Sequence, residues 1–333
     1  MKTVGIIANA DSGKDVRRLV SSASVFGDRE KINILKRILM ALDSQEVTRA
    51  LIMPDPLGLV KRVLYELEGK LRRLQAGILE LPCVAGDYRD SLGAAQAMAA
   101  EDCGCVITLG GDGTNRVVAK AVADIPLLPV SAGTNNVFPY LVEGTIAGLA
   151  AAAFAHGAVG ARDCCSRMPL LQVCREGRPE ETALIDVAVL DQHQVGARAV
   201  WEPGVIRELY LTRARPADIG LSAIGGCLQP LPPDAGMAMY VRTGKNGRRV
   251  TAPIAPGLIR SIDVAEHRLF GPGEALAVAF KPCIIALDGE REMRVEDDDA
   301  VAVKLDPHGP LVIDVDMTLN AAVANGFMAS PSY

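Results

Sequence analysis

Between residues 4 and 130, short apolar runs alternate with longer stretches of helical character, and this alternation leaves the chain very few architectures. Val4 to Ala8, Ala50 to Met53, Ile78 to Val84, Cys105 to Leu109 and Leu127 to Val130 have the length and content of buried strands. Asp28 to Leu42, Leu59 to Leu74 and Leu92 to Ala100 lie between them with helical patterning. A parallel strand pair needs a crossover, usually a helix, so this order predicts an α/β, doubly wound, Rossmann-like layer. Beyond an Ala-rich helix expected over Thr145 to His156, the texture changes to short segments broken by Gly and Pro. Leu170 to Cys174, Leu184 to Leu190, Ala197 to Trp201, Met237 to Arg242, Ala275 to Phe280, Ile284 to Leu287, Ala300 to Lys304 and Leu311 to Val315 read as strands of a mostly-β sandwich. A chain of 333 residues exceeds the usual size of one core. The expected division is an α/β nucleotide-binding domain over 1–145 and a β-rich substrate domain over 146–315. The tail 316–333 is a candidate to return to the first domain.

The chain carries 49% hydrophobic and 23% charged residues, the balance of a globular protein, and a net charge of -5. That charge offers no electrostatic footprint for nucleic acid or anionic membrane. The sequence shows no signal-peptide pattern and no apolar run long enough for a membrane span, so a cytoplasmic protein is expected. Eight cysteines show neither C-x-x-C pairs nor zinc-site spacing, and the four histidines form no triad or metal cluster.

The strand Cys105 to Leu109 runs directly into Gly110-Gly111-Asp112-Gly113-Thr114-Asn115. Open α/β sheets bind ligands at the carboxyl ends of their strands. Glycines let backbone N–H groups approach phosphate oxygens, and the following helix N-terminus adds partial positive charge. Asp112 is then placed to take a proton or orient a hydroxyl, although an Asp-Gly pair alone can be a simple turn. A second small-residue junction, Ser131-Ala132-Gly133-Thr134-Asn135-Asn136, follows the next strand and could face the first across one crevice, or merely turn the chain. A third, Asn9 to Asp15, carries Ser12, Gly13 and Lys14 after the first strand. It departs from a P-loop at Ala8 and Asp15, leaving a phosphate-contacting turn or an ordinary helix cap. Asp288-Gly289-Glu290 ends an apolar strand, where paired acids could hold Mg²⁺ through water or form a hairpin turn.

In this order the motifs resemble those of the superfamily that joins ATP-NAD kinases with diacylglycerol and sphingosine kinases. Gly110 to Thr114 matches its shared signature, Asn9 to Lys14 resembles the Asn-Pro-x-Ser-Gly turn of the lipid kinases, and Ser131 to Asn136 their Gly-Thr-Gly-Asn segment. Ala183 to Val187 is similar to the Ala-Leu-Asn-Glu-Val segment of NAD kinases, Thr251 to Pro256 to their Thr-Pro-Ile-Cys-Pro strand, and Gly220 to Ile224 to their Gly-Ser-Thr-Ala-Tyr turn. The opening through Ser24-Val25-Phe26 looks like a bacterial branch found with acetoin-catabolism genes.

The resemblance implies phosphoryl transfer from ATP or polyphosphate to a hydroxyl, with Asp112 as base and NAD or a related nucleotide as acceptor. Asn9, Ser12, Gly13, Lys14, Gly110, Gly111, Gly113, Thr114, Asn115, Gly133, Thr134, Asn135 and Asn136 would cradle phosphates. Asp186 and Ser222 would meet the nucleotide, and Asp288 with Glu290 would place Mg²⁺. A homodimer or homotetramer is implied as well. Ile185 stands where the family has Asn and Ile224 where it has a stacking Tyr, which keeps two other readings open. One is a lipid or small-alcohol kinase; the other is a nucleotide-binding regulator with weak catalysis.

Overall fold

The computed structural model describes residues 3–10, 27–122, 124–133, 136–192 and 203–329. Ser12, Gly13, Lys14, Thr134, Asn135 and the strand expected at Ala197 to Trp201 lie outside these residues.

The first part of the chain runs β1 (Thr3–Ala8), α1 (Asp28–Ser44), β2 (Arg49–Ile52), α2 (Leu59–Glu66), β3 (Gln75–Ile78), α3 (Tyr88–Ala100), β4 (Cys105–Gly110), α4 (Asp112–Ala119), β5 (Leu127–Ser131) and α5 (Gly144–Ala155). It continues through α6 (Ala161–Cys164), β6 (Cys165–Arg167), β7 (Leu170–Arg175), β8 (Arg178–Ala183), β9 (Asp186–Leu190), β10 (Ile206–Leu211) and α7 (Ser222–Leu228). The remainder comprises β11 (Ala238–Ala255), β12 (Leu258–Phe270), β13 (Ala275–Ala277), β14 (Cys283–Leu287), β15 (Glu290–Val295), β16 (Val301–Asp306), β17 (Leu311–Ile313) and α8 (Val315–Ala324).

Strands β1 to β5 form a parallel sheet in the order β3-β2-β1-β4-β5, extended by β17 and β6. The chain doubles back between β1 and β4, which creates the switch-point crevice of a doubly wound sheet. Helices α1 and α5 cover one face, and two glycines bring them close. A Cβ on Gly148 would lie 2.6 Å from Ala41 Cβ and 2.8 Å from the Ile38 carbonyl oxygen, and one on Gly144 would lie 2.8 Å from that of Ile34.

The expected strand over Ile78 to Val84 starts earlier, at Gln75. Its apolar run contains Pro82, which has no N–H to give a ladder, and β3 sits at the sheet edge where only one neighbour holds it.

The second part is a sandwich of a six-stranded sheet, β12-β11-β10-β9-β14-β15, on a four-stranded sheet, β13-β16-β7-β8. Alternation along β9 explains the layering. Val187 and Val189 face the inter-sheet core with Val173 and Val303, while Ala188 and Leu190 point the other way, under α7 with Ala223 and Ile224. A strand buried on both faces reads as an unbroken apolar run, as β9 and β14 do. The chain leaves the α/β sheet after β6 and re-enters it at β17, and these two strands pair antiparallel with Arg167 opposite Leu311. Helix α8 then packs beside α5 and α6, completing the first core with Ile313, Val315 and Ala322. No described helix is long and apolar enough to cross a membrane.

Candidate active site

Neighbouring β4 and β5 end in register, Gly110 opposite Ser131, so the two glycine-rich junctions emerge side by side. Side chains tie them together. Asp112 opens α4, and its carboxylate accepts from the Phe138 N–H at 2.8 Å and the Val137 N–H at 3.1 Å, both on the loop after β5. Asn136 donates to Ser131 Oγ at 2.8 Å, and its Oδ1 lies 3.0 Å from where a Gly111 Cβ would sit. Ser131 Oγ in turn donates to the Gly133 carbonyl at 2.8 Å, which shapes that turn from within.

The first junction joins them across the switch point. The Asn9 N–H donates to the Leu109 carbonyl at 3.0 Å and Asn9 Nδ2 to Thr114 Oγ1 at 2.9 Å. Thr114 also packs so tightly on Gly110 that any Cβ there would meet it at 2.7 Å, which explains the glycine. Asn115 is fully buried: it accepts from Thr108 Oγ1 at 2.7 Å and donates to the Gly111 carbonyl at 2.8 Å. Its side chain therefore braces the loop from behind and faces no ligand.

The β domain closes the opposite wall. Asp288 and Gly289 have φ of 49° and 81°, the left-handed pair of a two-residue hairpin joining β14 to β15. This turn lies against α4, with Glu290 Oε1 3.1 Å from a Cβ built on Gly113. Buried Asp288 reaches back to accept from the N–H groups of Leu184, Ile185 and Asp186 at 3.0, 2.7 and 3.2 Å. Arg116 on α4, only 3% exposed, lies 3.6 Å from Glu181, 3.7 Å from Asp288 and 3.8 Å from Glu290. Burial pushes the Asp288 carboxyl above its ordinary range, while Arg116 and the three N–H donors act in the opposite sense.

This arrangement does not suit Asp288 as a cation ligand, because its oxygens already serve three amides and a guanidinium. Among the described residues no three His, Cys, Asp or Glu side chains converge as a metal site. Two other residues expected at a ligand are buried as well. Ser222 is fully buried and donates to Asp218 Oδ2 at 3.3 Å, and Asp186 is 6% exposed at the start of β9. Ile185 and Ile224, which replace the polar and aromatic residues of NAD kinases, are 1% and 0% exposed and pack in the core.

Arg213, just beyond β10, has no counterpart in the motifs read from the sequence. Its guanidinium lies 5.3 Å over the ring of Phe138, the residue whose N–H holds Asp112.

The parallel sheet, its switch-point loops and the appended sandwich define an ATP-NAD kinase type of fold. The model of the ATP-NAD kinase N-terminal domain matches residues 4–158, and that of the acetoin catabolism protein X C-terminal domain matches residues 169–308. The chain is 37% identical to the acetoin catabolism protein X of Cupriavidus necator, over 98% of this chain and 94% of that protein. It belongs to the acetoin catabolism protein X family.

Proposed function

We propose that this protein transfers a phosphoryl group from ATP, or from polyphosphate, to a hydroxyl group presented to Asp112. The observation that carries this reading is Asp112 itself. Two amides from a neighbouring strand's loop fix its carboxylate at the mouth of the switch-point crevice, beside the Gly110 to Gly113 backbone. In the reaction the acceptor oxygen bonds to the terminal phosphorus, the bond to the leaving ADP, or to the polyphosphate shortened by one unit, breaks, and the acceptor's proton passes to Asp112. The glycine-rich loop and the start of α4 supply N–H groups for the charge on the transferred phosphoryl oxygens. Asn9 and Thr114 hold the loop's far side to β1.

Membership in a family carrying an ATP-NAD kinase domain supports kinase-type transfer, and the relative's name suggests a task linked to acetoin catabolism. For the acceptor, buried Ile185, Ile224 and Ser222 favour a hydroxyl compound other than NAD, because the contacts that would grip a dinucleotide there are missing.

The test is Asp112→Asn, which keeps the shape and removes the base. Turnover of ATP-Mg²⁺ against a panel of NAD, small alcohols and hydroxy compounds carrying a phosphate or carboxylate should fall by about 10²- to 10⁴-fold with the melting temperature unchanged. Full turnover in this variant would sink the assignment. Nucleotide binding without product from any acceptor, in the unaltered protein, would instead favour a regulator.

A further inference from the structure

Arg213 is 5% exposed, yet no carboxylate of the described residues pairs with it. Among the described residues its Nη2 has only the Met168 thioether at 3.6 Å, its planar face has the Phe138 ring, and its buried Nε has no hydrogen-bond partner. Burial pulls the guanidinium below its ordinary value; Tyr140 and Asp112 oppose this, Arg215 adds to it as a like charge, and Asp218 opposes it more weakly. The nearby Arg215, by contrast, is paired with Asp218 at 2.7 Å and leaves that carboxylate engaged. A buried cation with an unused donor is costly unless something negative completes it.

The surroundings say where that something enters. Arg213 follows Thr212, whose N–H and hydroxyl hold the Ile185 and Leu184 carbonyls at 2.9 and 2.7 Å, so its backbone is anchored on the β-domain wall. Phe138 separates it from Asp112 and touches both, by its ring on one side and its N–H on the other. Tyr140, two residues on, is 38% exposed and marks the solvent side of this corner. A guanidinium fork suits a planar or tetrahedral oxyanion and is a poor match for an alcohol.

We propose that Arg213 receives an oxyanion, a phosphate or carboxylate carried by the acceptor, next to the hydroxyl presented to Asp112. The acceptor is then an anionic hydroxy compound and not a neutral alcohol or lipid tail. This rests on the phosphoryl-transfer reading for the word acceptor, but the anion site is measured without turnover.

The probes are inorganic phosphate, pyrophosphate and acetate, titrated against the full chain by calorimetry and by thermal shift. The variants are Arg213→Met, which keeps the shape, and Arg213→Lys, which keeps the charge. Unaltered protein should bind at least one probe, with phosphate over acetate marking a phosphorylated acceptor and the reverse a carboxylate. Arg213→Met should weaken that binding at least tenfold, and Arg213→Lys should fall between. ATP-Mg²⁺ affinity should stay within twofold in both. Absence of binding by every probe, or binding by Arg213→Met within twofold of the unaltered protein, overturns the site. A tenfold loss of ATP affinity overturns its assignment to the acceptor. Asp112→Asn should retain the probe binding, so a failed kinase reading and a failed anion site give different results.

Discussion

Arg116 shows how one side chain can hold two domains in register. It projects from α4 of the α/β domain into three carboxylates of the β domain, Glu181, Asp288 and Glu290. Asp288 is already pushed upward by burial. A carboxyl with a raised folded-state value binds protons more tightly when folded, so its contribution to stability declines as pH rises through that value and returns on acidification. Removing Arg116 raises the value further. Arg116→Met should therefore cost about 3 kcal/mol at pH 8 and clearly less at pH 5, read from urea midpoints at both. An equal loss at the two pH values would show that Arg116 does not act through Asp288. Residues of this kind are hard to see in sequence. Asp112 is legible because glycines flank it at a strand end, a local signal. Arg116 and Arg213 look like any surface arginine, since the partners that define them are remote in sequence: Asp288 for one, Phe138 for the other.

Among the elements, the α1–α5 contact depends on two absent side chains. Gly148 admits the Ile38 backbone at a distance that no Cβ tolerates, so Gly148→Val should force the helices apart. The expected cost is about 1–3 kcal/mol, seen as a lower urea midpoint with an unchanged slope. An unaltered midpoint would mean that the contact is slack. The helices and strands that carry this contact are readable from apolar periodicity, and so are β4, β5, β9 and β14, all buried and nearly uninterrupted. Strands β8 and β12 escaped because their exposed faces mix charges such as Glu180, Arg260 and Glu266 into every turn of the pattern. Helix α8 escaped for another reason. The strand expected over Leu311 to Val315 stops at Ile313, and Asp314 caps a helix by accepting from the Met317 N–H at 2.8 Å. An Asp before an apolar stretch is the cue that would have found it.

At the scale of the molecule, the chain is one α/β body with a sandwich inserted between two adjacent strands. The two sandwich cores draw only on residues from Leu171 to Leu305. The α/β core needs Ile313, Val315 and Ala322 from beyond the insertion. A 1–167 fragment should therefore fail to melt cooperatively, whereas joining Arg167 to Leu311 through a short Gly-Ser turn, with α8 retained, should restore a cooperative transition by circular dichroism. A cooperative 1–167 fragment would refute the requirement for the returning segment. The Met168 N–H donates to the Pro310 carbonyl at 2.9 Å, and a Cβ on Gly309 would lie 2.3 Å from the Met168 carbonyl, so entry and exit run pressed together as a single stem. A stem of this kind makes the sandwich an exchangeable cassette: a different insert grafted at the same two points would redraw the wall carrying Arg213, Asp288 and Glu290, and with it whatever packs against Gly113 and α4, while β4 and β5 still deliver the Gly110 to Thr114 loop from the parallel sheet.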